Sequence, residues 1–297
     1  MKKLIVRISE GLGNQLFMYA NSYALSKRLN YELFIDNTSA YLNKKNQIGN
    51  YELDKFNIYC NESDHNYKFD TFFSNMKRKF LIKLDNFKSN KSFLIENKDD
   101  NKISSYKDYF SNNYSNILFL EGNFESEKYF IDYSNDIKKQ FIIKKDFVQN
   151  NSKYIDEIKR HNSISICIRQ HRYSERGFSD INKSNKFTSE TIEYIKRSVE
   201  YFKNKIPDSK FFIWSNDLNN LDFHFNSNEF TFIDNKKDKS LNDFNLFRYC
   251  KNFIVGPTTF HWWGAWLNDN PNKICVRPSN LSASNNKDFW PDNWISI

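Results

Sequence analysis

Three short stretches carry residue types that could do chemistry on a phosphate-bearing ligand. The first is Ser165-Ile166-Cys167-Ile168-Arg169-Gln170-His171-Arg172-Tyr173, an apolar β-branched run that delivers Arg169 to its end, with Arg172 and Arg176 just beyond. A guanidinium there pairs bidentately with phosphate or carboxylate and keeps its charge at every working pH. An ion pair with a structural carboxylate is the plainer alternative. The second is Gly11-Leu12-Gly13-Asn14-Gln15, set between an apolar run and a helical pattern. Glycines there let the backbone approach a ligand, and a helix N-terminus supplies N–H groups and partial positive charge; a simple tight turn would use the same residues. The third is Gly256-Pro257-Thr258-Thr259-Phe260-His261-Trp262-Trp263-Gly264-Ala265-Trp266, with two hydroxyls directly before a helix. Its tryptophans suit core packing, and His261 could cap, hydrogen-bond or catalyse. Between these, Asp217 in Trp214-Ser215-Asn216-Asp217 could accept hydrogen bonds from a ribose or base, or cap a helix.

Other chemistries lack their residues. There is no G-x-G-x-x-G, no P-loop with Lys-Ser/Thr, no nucleophile elbow, no H-E-x-x-H and no Asp-x-Asp. Cys60, Cys167, Cys250 and Cys275 are far apart and form no C-x-x-C, which fits neither a zinc knuckle nor a disulfide framework and suits a reducing cytosol. No metal site is expected. Lys+Arg is 44 against 36 Asp+Glu, a net charge of +8, but the basic residues are scattered, so no nucleic-acid partner is expected.

The elements that must position these residues follow from periodicity. The chain has 297 residues, 29 of them Phe and 17 Tyr, enough apolar surface for folded domains. Leu4–Ile8 reads as a buried strand, followed by a helix to about Leu29 and a strand at Tyr31–Ile35. Ile117–Leu120 reads as a strand and Ser126–Phe141 as a helix. The second half repeats the rhythm: strand Ile164–Arg169, helix Thr188–Lys205, strands Phe211–Ser215 and Phe230–Ile233, helix Leu241–Cys250, strand Phe253–Gly256, helix Trp262–Leu267 and strand Ile274–Val276. Repeated β-α-β predicts doubly wound parallel sheets with ligand at the strands' carboxyl ends. The expected domains are 1–150, an N-terminal α/β domain with a helical insertion, and 151–297, a Rossmann-like domain, facing a cleft.

Within the insertion, Phe69, Phe72, Phe73, Met76, Phe80, Leu84 and Phe87 recur near a period of 3.6, with Lys77, Arg78, Lys79 and Lys83 between them. One reading is a surface helix docking its aromatic stripe on the core; the other is a helix lying on anionic lipid. No apolar run approaches the roughly 20 residues of a membrane span. The start is basic then apolar, but Arg7 interrupts it, so no signal peptide is expected.

Taken together, these segments resemble the family 11 glycosyltransferases, the bacterial and animal α-1,2-fucosyltransferases. Gly11 through Ala20 matches the family's G-L-G-N-Q-L-F-x-Y-A signature, and Tyr51-Glu52-Leu53 with Phe56 looks like Y-x-L-x-x-F. Leu120–Phe124 with Ser126–Phe130 resembles the Y-x-Q-S-E-K-Y-F stretch, and Phe212–Asp217 its F-S-D-D region. Thr259–Leu267 looks like T-F-S-W-W-G-A-W-L, with His261 in place of Ser. The matches are colinear from residue 4 to about 278. One segment departs. The family's H-x-R-R-x-D appears as Cys167-Ile168-Arg169-Gln170-His171-Arg172, keeping only the first Arg at Arg169. Arg172 could restore the lost charge from another backbone position.

The resemblance implies a GT-B-like pair of α/β domains and an inverting, metal-free transfer from GDP-L-fucose to the 2-hydroxyl of a galactose-terminated oligosaccharide. It implies donor contacts at Gly11, Gly13, Asn14, Gln15, Arg169, Arg172, Asp217, Thr258, Thr259 and Phe260. Arg169 would absorb charge on the departing diphosphate, and Glu175, His171 and Glu10 are the candidate bases. No cofactor is implied beyond the sugar nucleotide. By the same analogy the acceptor would be lipid-linked, of O-antigen or capsule type, and the protein cytoplasmic with peripheral contact at the inner face of the membrane. Two alternatives follow from the altered segment: the same fold using another GDP-sugar, or a decayed glycan- or membrane-binding protein.

Overall fold

The computed structural model describes residues 1–41, 49–96, 113–148, 152–174, 180–226, 228–235 and 239–297. The chain divides into two compact units, Met1–Ile142 with Ser284–Phe289, and Ile143–Ala283 with Trp290–Ile297. This differs from a single break at 150/151: the first unit ends earlier and takes back a short segment near the C-terminus. Each unit is a parallel sheet flanked by helices, the GT-B-like fold.

In the first unit β1 (Lys3–Arg7) is central, with apolar Leu4, Ile5 and Val6 buried on both faces. Helix α1 (Leu12–Leu29) crosses to β2 (Glu32–Asp36), and β3 (Asn61–Glu62), β4 (Lys91–Ile95) and β5 (Tyr114–Glu121) complete the order β3-β2-β1-β5-β4. Asn30 ends α1 in the left-handed conformation at φ 57°, and Lys27 and Arg28 sit in its last turn, where cations suit the helix dipole. The expected helix over Ser126–Phe141 is shorter: α3 is Ser134–Gln140, preceded by 3-10 turns at Glu127–Tyr129 and Ile131–Tyr133. Phe124 at φ 52° turns the chain there so that Phe124, Tyr129 and Phe130 all bury.

The helix predicted near 69–87 exists as α2 (Phe72–Asp85), started by a Thr71–Ser74 capping box. Its aromatic stripe does not dock on the core, and that expectation is corrected. Phe72, Phe73, Met76, Phe80, Leu84 and the following Phe87 are exposed. The helix is held by its polar side instead. Arg78 makes a bidentate pair with Glu121, its Nε donating to Oε1 at 2.6 Å, and Arg7 Nη1 donates to Oε2 of the same carboxylate at 3.4 Å. Asp85 accepts from the N–H groups of Ser92 (2.9 Å) and Phe93 (3.0 Å). Only Phe69 joins the core, outside the helix, with its ring 5.2 Å from that of Phe119.

The second unit opens with α4 (Ser152–Arg160) and β6 (Asn162–Ile168), then α5 (Ile181–Lys205), β7 (Ser209–Ser215), β8 (Phe230–Phe232), α6 (Lys239–Phe247), β9 (Asn252–Ile254), α7 (Thr259–Leu267), β10 (Cys275–Arg277) and β11 (Ile295–Ser296). The sheet order is β11-β10-β9-β6-β7-β8, all parallel. Ile164, Ile166 and Ile168 of β6 form the core with Phe211 and Ile213 of β7 and with Ile195, Val199 and Phe202 of α5. Asp180 caps α5, accepting from Lys183 N–H at 2.8 Å, so the helix starts earlier than the expected Thr188.

Candidate functional site

In the second unit, β6 leads on to β7 on one side while β9 leads on to β10 on the other. Their carboxyl ends form the topological switch point of the sheet, where diverging loops leave room for a ligand. Register pairs Ile166 with Ile254, so the segments leaving β6 and β9 emerge side by side. Arg169 is the first residue beyond β6 and is half-buried. A Cβ on Gly256 would lie 2.3 Å from the Cys167 carbonyl oxygen, so glycine alone permits this approach of the two backbones.

Thr258 caps α7, its Oγ1 accepting from His261 N–H at 3.1 Å. The N–H groups of Thr259 and Phe260 fall in the first turn, beyond the reach of intrahelical carbonyls. Both residues are half-buried, whereas Thr258 is buried and its hydroxyl serves the helix. The Phe260 ring packs 5.4 Å from that of Phe244.

His261 is fully buried. Its Nε2 lies 2.8 Å from Ser165 Oγ, and its Nδ1 accepts from Gly256 N–H at 3.2 Å. Burial pushes its pKa down to about 3, so the ring is neutral, with Nε2 the donor. Of the roles open in the sequence, hydrogen bonding is the one the structure gives it.

Arg172 Nη1 donates to the Pro257 carbonyl (2.7 Å) and Nη2 to that of Ala283 (3.0 Å), with the guanidinium 5.0 Å from the Phe187 ring. Its charge therefore braces the turn between β9 and α7 from the protein side. Gln170 donates its backbone N–H to Asn216 Oδ1 (2.8 Å) and its amide to the carbonyls of Asp217 (2.8 Å) and Asn219 (3.2 Å). These bonds sew the exit of β6 to that of β7. His171 stands at φ 58°, with Nε2 3.2 Å from Asp217 Oδ2. Asp217 Oδ1 accepts from Asn219 N–H at 2.9 Å, and that bond, then His171, hold the carboxyl below its ordinary value. Glu175, and Arg176 beside it, lie outside the described residues.

The first unit places Gly11 as the N-cap of α1 at φ −82°, and among the described residues, its chain neighbours aside, no atom lies within 4 Å of where a Cβ would stand. Among the described residues, neither strain nor crowding demands glycine there. Gly13 is buried in the first turn, and the half-buried Asn14 donates its side-chain amide to Glu10. Glu10 stands at φ 63°, uncommon for a residue with a Cβ. Gln15 is turned into the protein. It is fully buried, its Nε2 donating to the carbonyls of Glu10 and Asn50 (2.7 Å each) and its Oε1 accepting from Glu52 N–H (2.9 Å). Its amide is spent on backbone and shapes the Glu10–Gly11 turn.

Sequence reasoning missed Ser165 and Gln170. Ser165 carries no signal of its own inside an apolar strand; its hydroxyl is the partner His261 needs. Gln170 read as a lost arginine, and its contacts show a turn-holding amide.

The family model for "Glycosyl transferase family 11" matches residues 3–297. The O-antigen biosynthesis glycosyltransferase WbnK of Escherichia coli is 26% identical over 315 residues, covering 98% of this chain and 99% of that protein. An alpha-1,2-colitosyltransferase of Escherichia coli is 25% identical over 305 residues, covering 100% and 99%. Among solved structures, the NodZ alpha-1,6-fucosyltransferase soaked with GDP-fucose aligns with a TM-score of 0.51 at 12% identity, over 90% of this chain and 92% of that one. A mutant of Arabidopsis thaliana FUT1 in complex with GDP aligns with a TM-score of 0.53 at 12% identity, over 95% and 71%. At such identities the structural likeness speaks for the fold.

Proposed function

The chain belongs to glycosyl transferase family 11, and from that premise we propose that it moves L-fucose from GDP-fucose to the 2-hydroxyl of a galactose-terminated, lipid-linked oligosaccharide, with inversion and without metal. The observation that carries the donor side is the switch point of the second unit, where Arg169 and the N-terminus of α7 leave adjacent strands at one end. In the transfer the bond from the sugar C1 to the diphosphate oxygen breaks and its electron pair leaves with GDP. The acceptor oxygen bonds to C1 from the opposite face, and its proton passes to a base. Charge building on the diphosphate would meet the Arg169 guanidinium and the N–H groups of Thr259 and Phe260, preset donors of the kind that stabilise a developing anion. The His171–Asp217 pair supports His171 as the base, since a carboxylate orients the ring, as general-base catalysis requires.

A second donor is favoured by two observations. Gln170, in place of the family's second arginine, is turned toward backbone carbonyls, and one relative is named for colitose rather than fucose. The same reaction with another GDP-deoxysugar is therefore the competing reading.

Calorimetric titration with GDP, UDP and CMP, then transfer assays with GDP-fucose against other GDP-sugars, separates these. GDP binding that Arg169→Ala abolishes, with transfer from GDP-fucose, supports the first reading. Transfer only from another GDP-sugar selects the second, and preference for UDP or CMP overturns both.

A further inference from the structure

Helix α2 is mounted the wrong way round for a helix that exists to fill a core. At about 100° per residue, Ser74, Arg78, Leu81, Ile82 and Asp85 cluster on one side, with Asn75 at its margin, and these are its half-buried and buried positions. The opposite side carries Phe72, Phe73, Met76, Phe80 and Leu84, continued by Phe87 past the helix end. Phe72 is 74% exposed, Phe73 80%, Phe80 62% and Phe87 90%. An ordinary surface helix spends its apolar stripe on the core and its charges on water. Here the half-buried Arg78 pairs with Glu121, a carboxylate it shares with Arg7, and Asp85 is buried against the backbone of β4, so the polar contacts fix the orientation. The phenylalanines are held outward by design of the anchor. An exposed apolar patch of this kind marks an interaction surface.

Charge says what the surface meets. Lys79 and Lys77 border the apolar face on its two sides, Lys83 lies within it, and all three are exposed. Between residues 72 and 88 the only acidic side chain is Asp85, which is buried. A second copy of the same face would bring lysines against lysines, which opposes self-association. An anionic bilayer offers both complements at once, acyl boundary for the rings and headgroup phosphate for the ammonium groups.

We infer that α2, from Phe72 to Phe87, is a docking surface for an anionic lipid bilayer, lying in the interface plane with its phenylalanines at the acyl boundary. This assignment does not depend on the donor or the acceptor.

The test is co-sedimentation of the full chain with sucrose-loaded vesicles of phosphatidylcholine alone and of phosphatidylcholine with phosphatidylglycerol. Sedimentation is expected with the anionic vesicles and should weaken as salt rises. Phe73→Ser with Phe80→Ser should lower the partition coefficient about tenfold or more. Lys77→Gln, Lys79→Gln and Lys83→Gln together should lower it by a similar factor on anionic vesicles and have no effect on neutral ones. Both variants alter exposed positions, so thermal melting and GDP binding should match the parent; that match separates loss of docking from loss of fold or site. Three results overturn the assignment: no sedimentation with anionic vesicles, sedimentation that the phenylalanine pair leaves unchanged, or a dimer in light scattering that the pair dissolves without any vesicle binding.

Discussion

The His261 ring and the Ser165 hydroxyl meet at 2.8 Å inside the second unit, while the other ring nitrogen takes the Gly256 N–H. One buried imidazole thus ties strand β6 to the turn that opens α7. His261→Ala should leave a cavity and two buried polar groups without a partner, costing about 2–4 kcal/mol. The pH dependence has a definite sign. Unfolded, the ring takes a proton near 6.5; folded, only near 3. Between these values the unfolded state binds more protons, so the contribution is complete above pH 6.5 and falls toward pH 3 by about 1.4 kcal/mol per unit. Urea midpoints measured across this range should fall more steeply for the parent than for His261→Gln, which has nothing to titrate.

Two glycines should respond in opposite ways. Gly256→Ala would place a methyl 2.3 Å from the Cys167 carbonyl oxygen, so the paired ends of β6 and β9 must part; a loss of about 3 kcal/mol or more is expected by chemical denaturation. Gly11→Ala meets no atom of the described residues beyond its chain neighbours and sits at an ordinary φ of −82°. Its stability should be unchanged or raised by about 0.5 kcal/mol through the unfolded chain. Transfer by Gly11→Ala should nonetheless fall about tenfold or more, because a ligand packed against that backbone would meet the new methyl. Full activity in Gly11→Ala would remove this turn from the ligand site.

Much of the site was legible because strand ends are legible. Arg169, Gly11 and Thr258–Thr259 each follow an apolar run and precede a helix pattern, and the structure puts them at carboxyl ends of parallel strands. Which way a side chain turns there was not. Arg172 and Gln170 read as a displaced and a lost charge, yet both are occupied by carbonyls from distant loops, such as Ala283. Period alone shows that a helix has an apolar face and leaves open which side docks. For α2 that choice rests on Arg78 meeting Glu121, 43 residues away, and no local pattern encodes it. The return of Ser284–Phe289 to the first unit is equally non-local: Lys128 Nζ donates to Asp288 Oδ1 at 2.6 Å, and the Phe289 ring lies 6.3 Å from that of Phe17.

Arg169 and Arg172 should separate cleanly in function. Arg169→Ala should remove detectable GDP binding and lower kcat/KM by about a hundredfold or more, the scale expected for losing a preset charge-stabilising donor. Arg172→Ala should act first on stability. It strands the carbonyls of Pro257 and Ala283, a cost of about 1–3 kcal/mol in the urea midpoint, and weakens donor binding through a loosened turn. Arg172→Lys cannot span both carbonyls and should restore little. Transfer should be unchanged by EDTA for the parent and both variants. A metal requirement would show as loss with EDTA and recovery with a divalent cation.

The base can be assigned by kinetics. Asp217 stays ionised through any working pH, since Asn219 N–H and His171 hold its carboxyl below the ordinary 3.8. The pair is therefore intact at neutral pH, with the ring oriented through Nε2. His171→Gln should lower kcat about a hundredfold with little change in donor KM, as removal of a general base does. Asp217→Asn keeps an oxygen for Asn219 N–H and loses the charge, so its loss should be smaller. Residues acting as one unit are not additive, and the double variant should fall no further than His171→Gln alone. If His171→Gln keeps its kcat, the base is a carboxylate. Glu10→Gln and Glu175→Gln then decide between the one held by Asn14 at a left-handed turn and the one four residues after His171 in sequence.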